Sequence, residues 1–513
     1  MATTTFLPGT VIASTWLNDV NTTVYSGSVN LRLYGAVGDG TTDDTVAVQN
    51  AVTAAQASGV ELFVPAGNYK VTTINVTNHL KLRGAGRQIA RFTTTSTTAN
   101  MFNVVSDAGF EISDLWLQGS AVATAGALIA LTGSATHNAY SKARDMIFSG
   151  GFNQFYTTSA LLWTIDNCIF SGFVQYGVGV QNLYNADAGD SCITNSTFSN
   201  ASAARACVWQ ASSGGLKLVG NKFNTAQYGY LLELAGVTSD LIVVGNSFEN
   251  SSLACMAFSY TSGSFNNIEI TGNQFALSAA GILMNNTAAF FSIATISGNT
   301  FSAMSQYGIL VDNASNVNIS GNTIIGNSGL IGLKLFANVN NATIGGNKIA
   351  GFTTSILNLS NSFTIKTYPL LVYNGGSIDA GNTSENILAT CTIPAGAMGL
   401  NGGLKIFSSW SCTNNANVKT MRVRLGGISG ALLWSAAPTT SSYLRSTIYC
   451  GNAGVTNSQT VTLVQEGDAT VLSQAPFVLS VDTTPQLTIV FTGQKANAGD
   501  ALTLHNAWAE LQV

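Results

Sequence analysis

Along most of the chain, apolar and polar residues alternate in short runs that restart at a regular spacing. In Asn267-Ile-Glu-Ile270 and Asn316-Val-Asn-Ile319, every second side chain falls on one face. That pattern predicts strands with one buried side. Each run leads into a four-residue corner that closes on a large apolar residue. The corners are Asp114-Leu-Trp-Leu117, Asp145-Met-Ile-Phe148, Asn167-Cys-Ile-Phe170, Asn195-Ser-Thr-Phe198, Gly220-Asn-Lys-Phe223, Gly245-Asn-Ser-Phe248, Gly272-Asn-Gln-Phe275, Gly298-Asn-Thr-Phe301, Gly321-Asn-Thr-Ile324 and Gly346-Asn-Lys-Ile349. Nine steps lead from Leu117 to Ile349, so the repeat averages about 26 residues. A period of this length predicts a solenoid, with Phe and Ile stacked inside and corner asparagines bonding along its axis.

A second strand follows many corners: Gly177-Val-Gly-Val-Gln181, Arg205-Ala-Cys-Val-Trp209, Gly229-Tyr-Leu-Leu-Glu233, Cys255-Met-Ala-Phe-Ser259, Gly281-Ile-Leu-Met-Asn285, Gly308-Ile-Leu-Val-Asp312 and Gly332-Leu-Lys-Leu-Phe336. Its second and fourth positions are mostly apolar and should point inward, leaving the fifth outside. The expected outward column is Gln181, Trp209, Glu233, Ser259, Asn285, Asp312 and Phe336, with Tyr260 beside it.

The flanks read differently. Residues 1–30 are a polar leader in which Trp16, Leu17, Val20 and Val24 could share one face of a short helix. Tyr34-Gly-Ala-Val-Gly-Asp-Gly-Thr-Thr-Asp-Asp-Thr45 is a turn that leads into a helix over Val46–Ala57, capped by Asp43 or Asp44. Val48, Val52 and Ala55 fall on its inner side. A strand, a Pro65-Ala-Gly turn and a second strand follow. Asp39, Asp43 and Asp44 cluster, and turn and cap chemistry explains all three. From about residue 366 the pattern becomes short alternating strands, among them Leu404–Trp410, Lys419–Gly427, Gln459–Val464, Gln486–Phe491 and Thr503–Trp508. These predict a β-sandwich or jelly roll.

Leu33-Tyr-Gly-Ala-Val-Gly-Asp-Gly-Thr-Thr-Asp-Asp44, with Phe63-Val-Pro-Ala-Gly-Asn-Tyr69 after it, closely resembles the opening segment of pectate-lyase-like right-handed β-helix proteins. The version with a short leader is common in bacteriophage tailspikes. Ile393-Pro-Ala-Gly396, Asn401-Gly-Gly-Leu404 and Val418–Gly427 resemble C-terminal modules of phage tail proteins, which are associated with trimerisation or glycan binding. The resemblance implies an all-β chain in three parts. Residues 1–30 would attach to the virion through tail or portal adaptor proteins. Residues 31–365 would form a right-handed parallel β-helix. Residues 366–513 would form a β-sandwich or jelly roll in a homotrimer. A shared fold marks the reaction only weakly.

Composition narrows the classes. Lys plus Arg number 20 and Asp plus Glu 24, and charged residues are only 9% of the 513. Uncharged polar residues take their place, with 48 Asn and 52 Gly. A pI near 5.4 carries no basic footprint for nucleic acid. No apolar run approaches a membrane span, and the N-terminal residues show no secretion signal. Residues 66–368 contain no proline, as expected of strands paired on both sides. The seven cysteines are scattered without metal-ligand spacing and read as buried thiols. Only three histidines exist, so neither a His general base nor a His-rich metal site is expected. No cofactor or metal is implied.

Candidate chemistry therefore rests on few acids. Asp114, Asp145 and Asp166 sit at or beside corners and read as structural. Glu233 lies two rungs, about 10 Å, from Gln181. The stretch Asn182–Ser191 beyond Gln181 carries Asp187 and Asp190. Inverting glycosidases hold their acid and base roughly 6.5–9.5 Å apart. Glu233 with Asp187 or Asp190 is the expected catalytic pair of an endo-glycoside hydrolase. Apolar neighbours, Trp209 and Leu234, would suit Glu233 to the acid role. Trp209, Gln181, Tyr260, Asn285 and Asp312 would bind the substrate, a bacterial capsule or O-antigen polysaccharide. Lys419, Arg422 and Arg424 read mainly as a solvated strand face. A non-cleaving receptor-binding fibre is the rival. A polysaccharide lyase and a free bacterial enzyme come after it.

Overall fold

The computed structural model describes residues 27–512 apart from 106–108, 133–139, 159, 161, 182–190, 212–213, 286–288, 361, 366–367, 374–375, 379–380, 394, 401 and 469–470. The expected leader lies almost wholly outside these residues. The protein is a right-handed parallel β-solenoid of about 11 turns, with antiparallel sheets at the C-terminus. It divides at Ser252 and Leu253 into two compact units.

Near the start of the N-terminal unit, after the short strands Ser28–Asn30 and Asp39–Asp43, lies the helix Thr45–Ser58, whose Val48, Ala51, Val52 and Ala55 are buried. The clustered acids are spent on local structure. Asp44 accepts from the backbone amides of Val37 and Gly38 at 2.7 and 3.0 Å, and Asp43 accepts from that of Thr45 at 3.0 Å. Backbone amides of Thr42 and Thr41 hold the Asp39 carboxyl well below the usual carboxylate range. A typical coil then has three strands, as in Ser191–Thr194, Thr197–Ser199 and Ala206–Ala211. Each pairs in parallel with its counterparts in the coils before and after. The three sheets enclose one core.

The corners explain the repeat. Their first residue has positive φ in every copy: 58° at Asp114, 56° at Asp145, 51° at Asn167 and Asn195, and 63–67° at the six glycines from Gly220 to Gly346. Gly, Asn and Asp are the residues that tolerate this left-handed conformation. The second residue turns inward, so Leu115, Met146, Cys168, Ser196 and Asn221 are all buried. The fourth stacks along the axis, with Phe148–Phe170 and Phe170–Phe198 each 4.6 Å apart and Phe198–Phe223 5.0 Å apart. Gly177, the second residue of the strand Tyr176–Gln181, has no room for a side chain, because a Cβ there would lie 2.7 Å from the Phe198 ring and 2.8 Å from the Cys207 carbonyl.

Within the C-terminal unit, parallel coils run through Ser362–Ile365. Its corner asparagines form a buried ladder. Asn299 Nδ2 donates to Asn322 Oδ1 at 3.0 Å, and Asn322 Nδ2 to Asn347 Oδ1 at 2.8 Å. From Tyr368 onward, two antiparallel sheets of seven and four strands enclose their own core, built around Trp410, Trp434, Phe491 and Ile448. Lys419 is not on a solvated face. It is buried, and its ammonium donates to Asn415 Oδ1 and to the carbonyls of Asn415 and Asn417. Arg422 and Arg424 both pair with Glu385, at 3.0 and 3.4 Å.

Candidate functional site

In the N-terminal unit, the third strands of successive coils form one sheet: Asn153–Thr158, Tyr176–Gln181, Ala206–Ala211 and Tyr228–Val244. Val178, Val208 and Tyr230 point into the core. The register places Gly179 opposite Trp209 and Gln181 opposite Ala211. Trp209 therefore lies two residues earlier than the repeat pattern alone places it. Its row runs Tyr156, Gly179, Trp209, Leu231, while Thr158, Gln181 and Ala211 lead towards Glu233 in the next row. The two-rung separation of Gln181 and Glu233 holds.

The offset brings Trp209 diagonally against Glu233, with indole Nε1 donating to Glu233 Oε2 at 2.9 Å. The other carboxylate oxygen pairs with the Arg205 guanidinium. A second Arg205 nitrogen donates to Tyr176 Oη at 3.2 Å. The Tyr176 ring stacks on Trp209 at 4.8 Å and 3°. On the same face, Tyr156 lies 6.3 Å from Trp209 at 13° and donates its hydroxyl to Gln181 Oε1 at 2.6 Å. Gly179 makes room for that ring, since a Cβ would meet Tyr156 Cδ2 at 2.5 Å. Burial, with Tyr176 nearby, pushes the Tyr156 phenol up to about 12. Burial also raises Tyr176, against the opposing pull of Arg205. Both phenols stay protonated and can donate at neutral pH.

This cluster offers the half-buried rings of Tyr156 and Trp209, a guanidinium fork, a fixed carboxylate and an amide within one patch, with Tyr176 buried beneath Trp209's stacking contact. Side-chain exposure of 43% for Arg205 and 29% for Glu233 leaves the polar ends reachable. Such a patch can stack on a flat ring and bond its hydroxyls. Both Glu233 oxygens already accept, one from Arg205 and one from Trp209, which fixes the carboxylate as an acceptor within the patch.

Asp187 and Asp190 lie outside the described residues, as does the side chain of Tyr260. Asn285 is exposed. Asp312 does not face outward. It is 3% exposed, and its carboxylate accepts from the Asn313 amide at 2.8 Å. The strand ends at Val311, one residue before Asp312. Asp166 accepts from the Thr194 hydroxyl and from Asn195, and Asp145 accepts from Asn167. Sequence reasoning missed Tyr156 and Tyr176. Tyr156 sits in Asn153-Gln-Phe-Tyr156, which lacks the leading glycine used to find these strands.

A recess of about 240 Å³ opens elsewhere in this unit, over Lys81, Glu111, Lys142 and Arg144. No aromatic ring lines it. Its cations are matched locally, Lys81 on Glu61, Lys142 on Glu111 and Arg144 on Asp145. Among the described residues, no three His, Cys, Asp or Glu side chains cluster to hold a metal. No helix there is long and apolar enough to cross a membrane.

Comparison with known proteins adds the following. The profile of a family described as rhamnogalacturonase A/epimerase, pectate lyase-like, matches residues 28–231. A profile described as right handed beta helix region matches residues 280–443, although the strands after Ile365 are antiparallel here. The mannuronan C5-epimerase AlgE1 of Azotobacter vinelandii is 33% identical over 108 residues, which span 18% of this chain and 8% of that protein. The A-module of mannuronan C-5 epimerase AlgE6 from the same organism is 16% identical, with a TM-score of 0.50 over 66% of this chain and 97% of that one. The Dettilon tailspike protein is 14% identical, with a TM-score of 0.41 and 96% of each chain covered. At these identities the structural likeness is one of fold.

Proposed function

We propose that the solenoid grips a polysaccharide across the Trp209 cluster, and that the protein is a bacteriophage tailspike acting on a surface polysaccharide of its bacterial host. The observation that carries this reading is the carboxylate of Glu233 fixed between Arg205 and Trp209 on an outward sheet face, beside Tyr156, Tyr176 and Gln181. Rings with convergent amide, guanidinium and carboxylate groups are the chemistry of sugar recognition. The opening segment around Tyr34–Asp44 and the solenoid support the tailspike assignment, and the sequence likeness to an epimerase named for a polysaccharide supports a polysaccharide ligand. In this reading residues 1–30 attach to tail or portal adaptor proteins, residues 31–365 carry the glycan site, and residues 366–513 hold a homotrimer in the virion tail.

Cleavage is part of the proposal. Glu233 would be the base that activates water, and Asp187 or Asp190 the acid. Both acids follow Gln181 in the sequence, and Gln181 lies two rungs, about 10 Å, from Glu233, while inverting enzymes hold their carboxyl groups roughly 6.5–9.5 Å apart. The test is incubation of the purified protein with host capsule or O-antigen, followed by sizing of the chains. Glu233→Gln should slow shortening at least ~100-fold, the scale of a lost general base. An unchanged rate removes Glu233 from the mechanism. Polysaccharide left intact by the wild type removes hydrolysis and leaves a non-cleaving receptor-binding protein.

A further inference from the structure

Charge is spread unevenly over the N-terminal unit. Residues 146–252, which build the coils around the Trp209 cluster, hold three cations against six acids. The cations are Arg205, Lys217 and Lys222. Lys217 lies on Leu216–Val219, in the sheet that precedes the corners. Lys222 lies on Lys222–Asn224, in the sheet that follows them, with its ammonium 3.4 Å from Glu249. Of the three, only Arg205 stands at the cluster, and Glu233 holds its guanidinium. Lys81, Arg83, Lys142 and Arg144 of the earlier coils lie on the Lys217 sheet, away from the Trp209 strand.

We propose that the Trp209 cluster takes an uncharged glycan and turns acidic chains away, with the Arg205–Glu233 pair setting that preference; this rests on reading the cluster as a polysaccharide site. A carboxylate or phosphate that leaves water needs a guanidinium or ammonium in exchange. Arg205 already spends its charge on Glu233 and another N–H on Tyr176 Oη. An anionic sugar would have to compete with the Glu233 carboxylate for the fork or lie beside it as a like charge, and both cost affinity. Asp187 and Asp190, which follow Gln181 in the sequence, add to the negative balance of these coils. Neutral hydroxyls meet no such penalty. They can donate to Glu233 and accept from the Gln181 amide and the remaining Arg205 N–H groups. The rings of Tyr156 and Trp209 suit the C–H face of a sugar whatever its charge, so stacking gives affinity and the ion pair gives selection.

The test uses the full-length protein on an array of bacterial O-antigens and capsular polysaccharides, sorted into uncharged chains and chains that bear uronate, sialate or phosphate. Contact is brief and cold, so that shortening of the chains stays small. Wild type, Glu233→Gln and Trp209→Ala are compared at about 0.01 M and 1 M salt, between which the Debye length falls from about 30 to 3 Å. Glutamine keeps the shape of a partly exposed side chain, and circular dichroism checks the fold of both variants. The wild type should retain an uncharged chain with affinity that changes less than about twofold with salt, and Trp209→Ala should weaken it about tenfold. Glu233→Gln frees the Arg205 fork. It should bind acidic chains about tenfold better than the wild type at low salt, and the gain should vanish at high salt. Three results overturn the inference while leaving a polysaccharide site in place: acidic chains preferred by the wild type and lost in Trp209→Ala, retention of any chain through Trp209 that falls steeply with salt, or no gain on acidic chains in Glu233→Gln. No chain retained at all, or retention untouched by Trp209→Ala, instead removes the glycan site at this cluster, and the inference with it.

Discussion

Replacing Asn322 with alanine tests whether the corner ladder holds the coils together. Asn322 is 1% exposed. Its Nδ2 donates to the Ile296 carbonyl at 2.9 Å and to Asn347 Oδ1 at 2.8 Å. Its Oδ1 accepts from the backbone amide of Asn299 at 2.9 Å and from Asn299 Nδ2 at 3.0 Å. Alanine removes all four bonds. A buried hydrogen bond contributes about 1 kcal/mol net, and a buried N–H left without an acceptor costs about 1–3 kcal/mol. The expected local loss is therefore about 3–5 kcal/mol. At about 1.4 kcal/mol per factor of ten, protection of the corner amides against hydrogen exchange should fall by ~10²–10⁴. Peptides covering 294–302 and 318–325 should report it, while peptides from the antiparallel sheets should not. Thr300→Ala, exposed in the adjacent coil, is the control and should stay within about 0.5 kcal/mol. A drop in protection below about tenfold, or one matched by Thr300→Ala, would refute the ladder as a main tie between coils.

The corner glycines, the buried thiols and the Glu385 ion pairs can each be tested as well. Gly272 has φ 65°, and a Cβ added there would meet nothing within 4 Å, so substitution costs backbone strain alone. Thermal midpoints should rank Gly and Asn above Ala and Ala above Val, with Ala lower by about 1 kcal/mol; a Val variant as stable as wild type would contradict this. Burial pushes the Cys168, Cys391 and Cys450 thiols up to about 12 from an ordinary 9.0. These thiols should resist iodoacetamide in the native protein at pH 8 and react once it is unfolded. Since the unfolded chain loses these protons first, stability should decline as pH rises from about 9 towards 12, and a flat profile there would count against it. Burial would raise the Glu385 carboxyl, but the Thr492 hydroxyl, Arg422 and Arg424 outweigh it and bring it below its usual range. Its stabilisation is present above the unfolded carboxylate range and fades as pH falls through the folded value. Glu385→Gln should therefore cost stability at pH 7, with the gap to wild type closing under acid; a gap independent of pH would disprove the role.

Much of the fold is legible in the chain because its constraints are local. A left-handed corner admits Gly, Asn or Asp, and the apolar residue three positions later must enter the core. Ten such corners disclose the period, and the return of proline coincides with the antiparallel strands. The candidate site was legible only in part. Trp209 and Glu233 were found as outward residues, but their relation was not. Coils differ in length, so aligning strands on a leading residue misplaces Trp209 by two positions. The same method sent Asp312 outward, although its strand has already ended at Val311.

By itself, then, the sequence determined the coil, its period and which residues turn each corner, since each follows from what one residue's backbone or side chain permits. Only the tertiary structure decided partners. Arg205 meets Glu233 across 28 residues, and Lys419 is buried in a cage of carbonyls rather than facing solvent. Tyr156 and Tyr176 flank Trp209 because three coils stack in one register. Those contacts depend on how loops of unequal length set successive strands against each other, which no local pattern encodes.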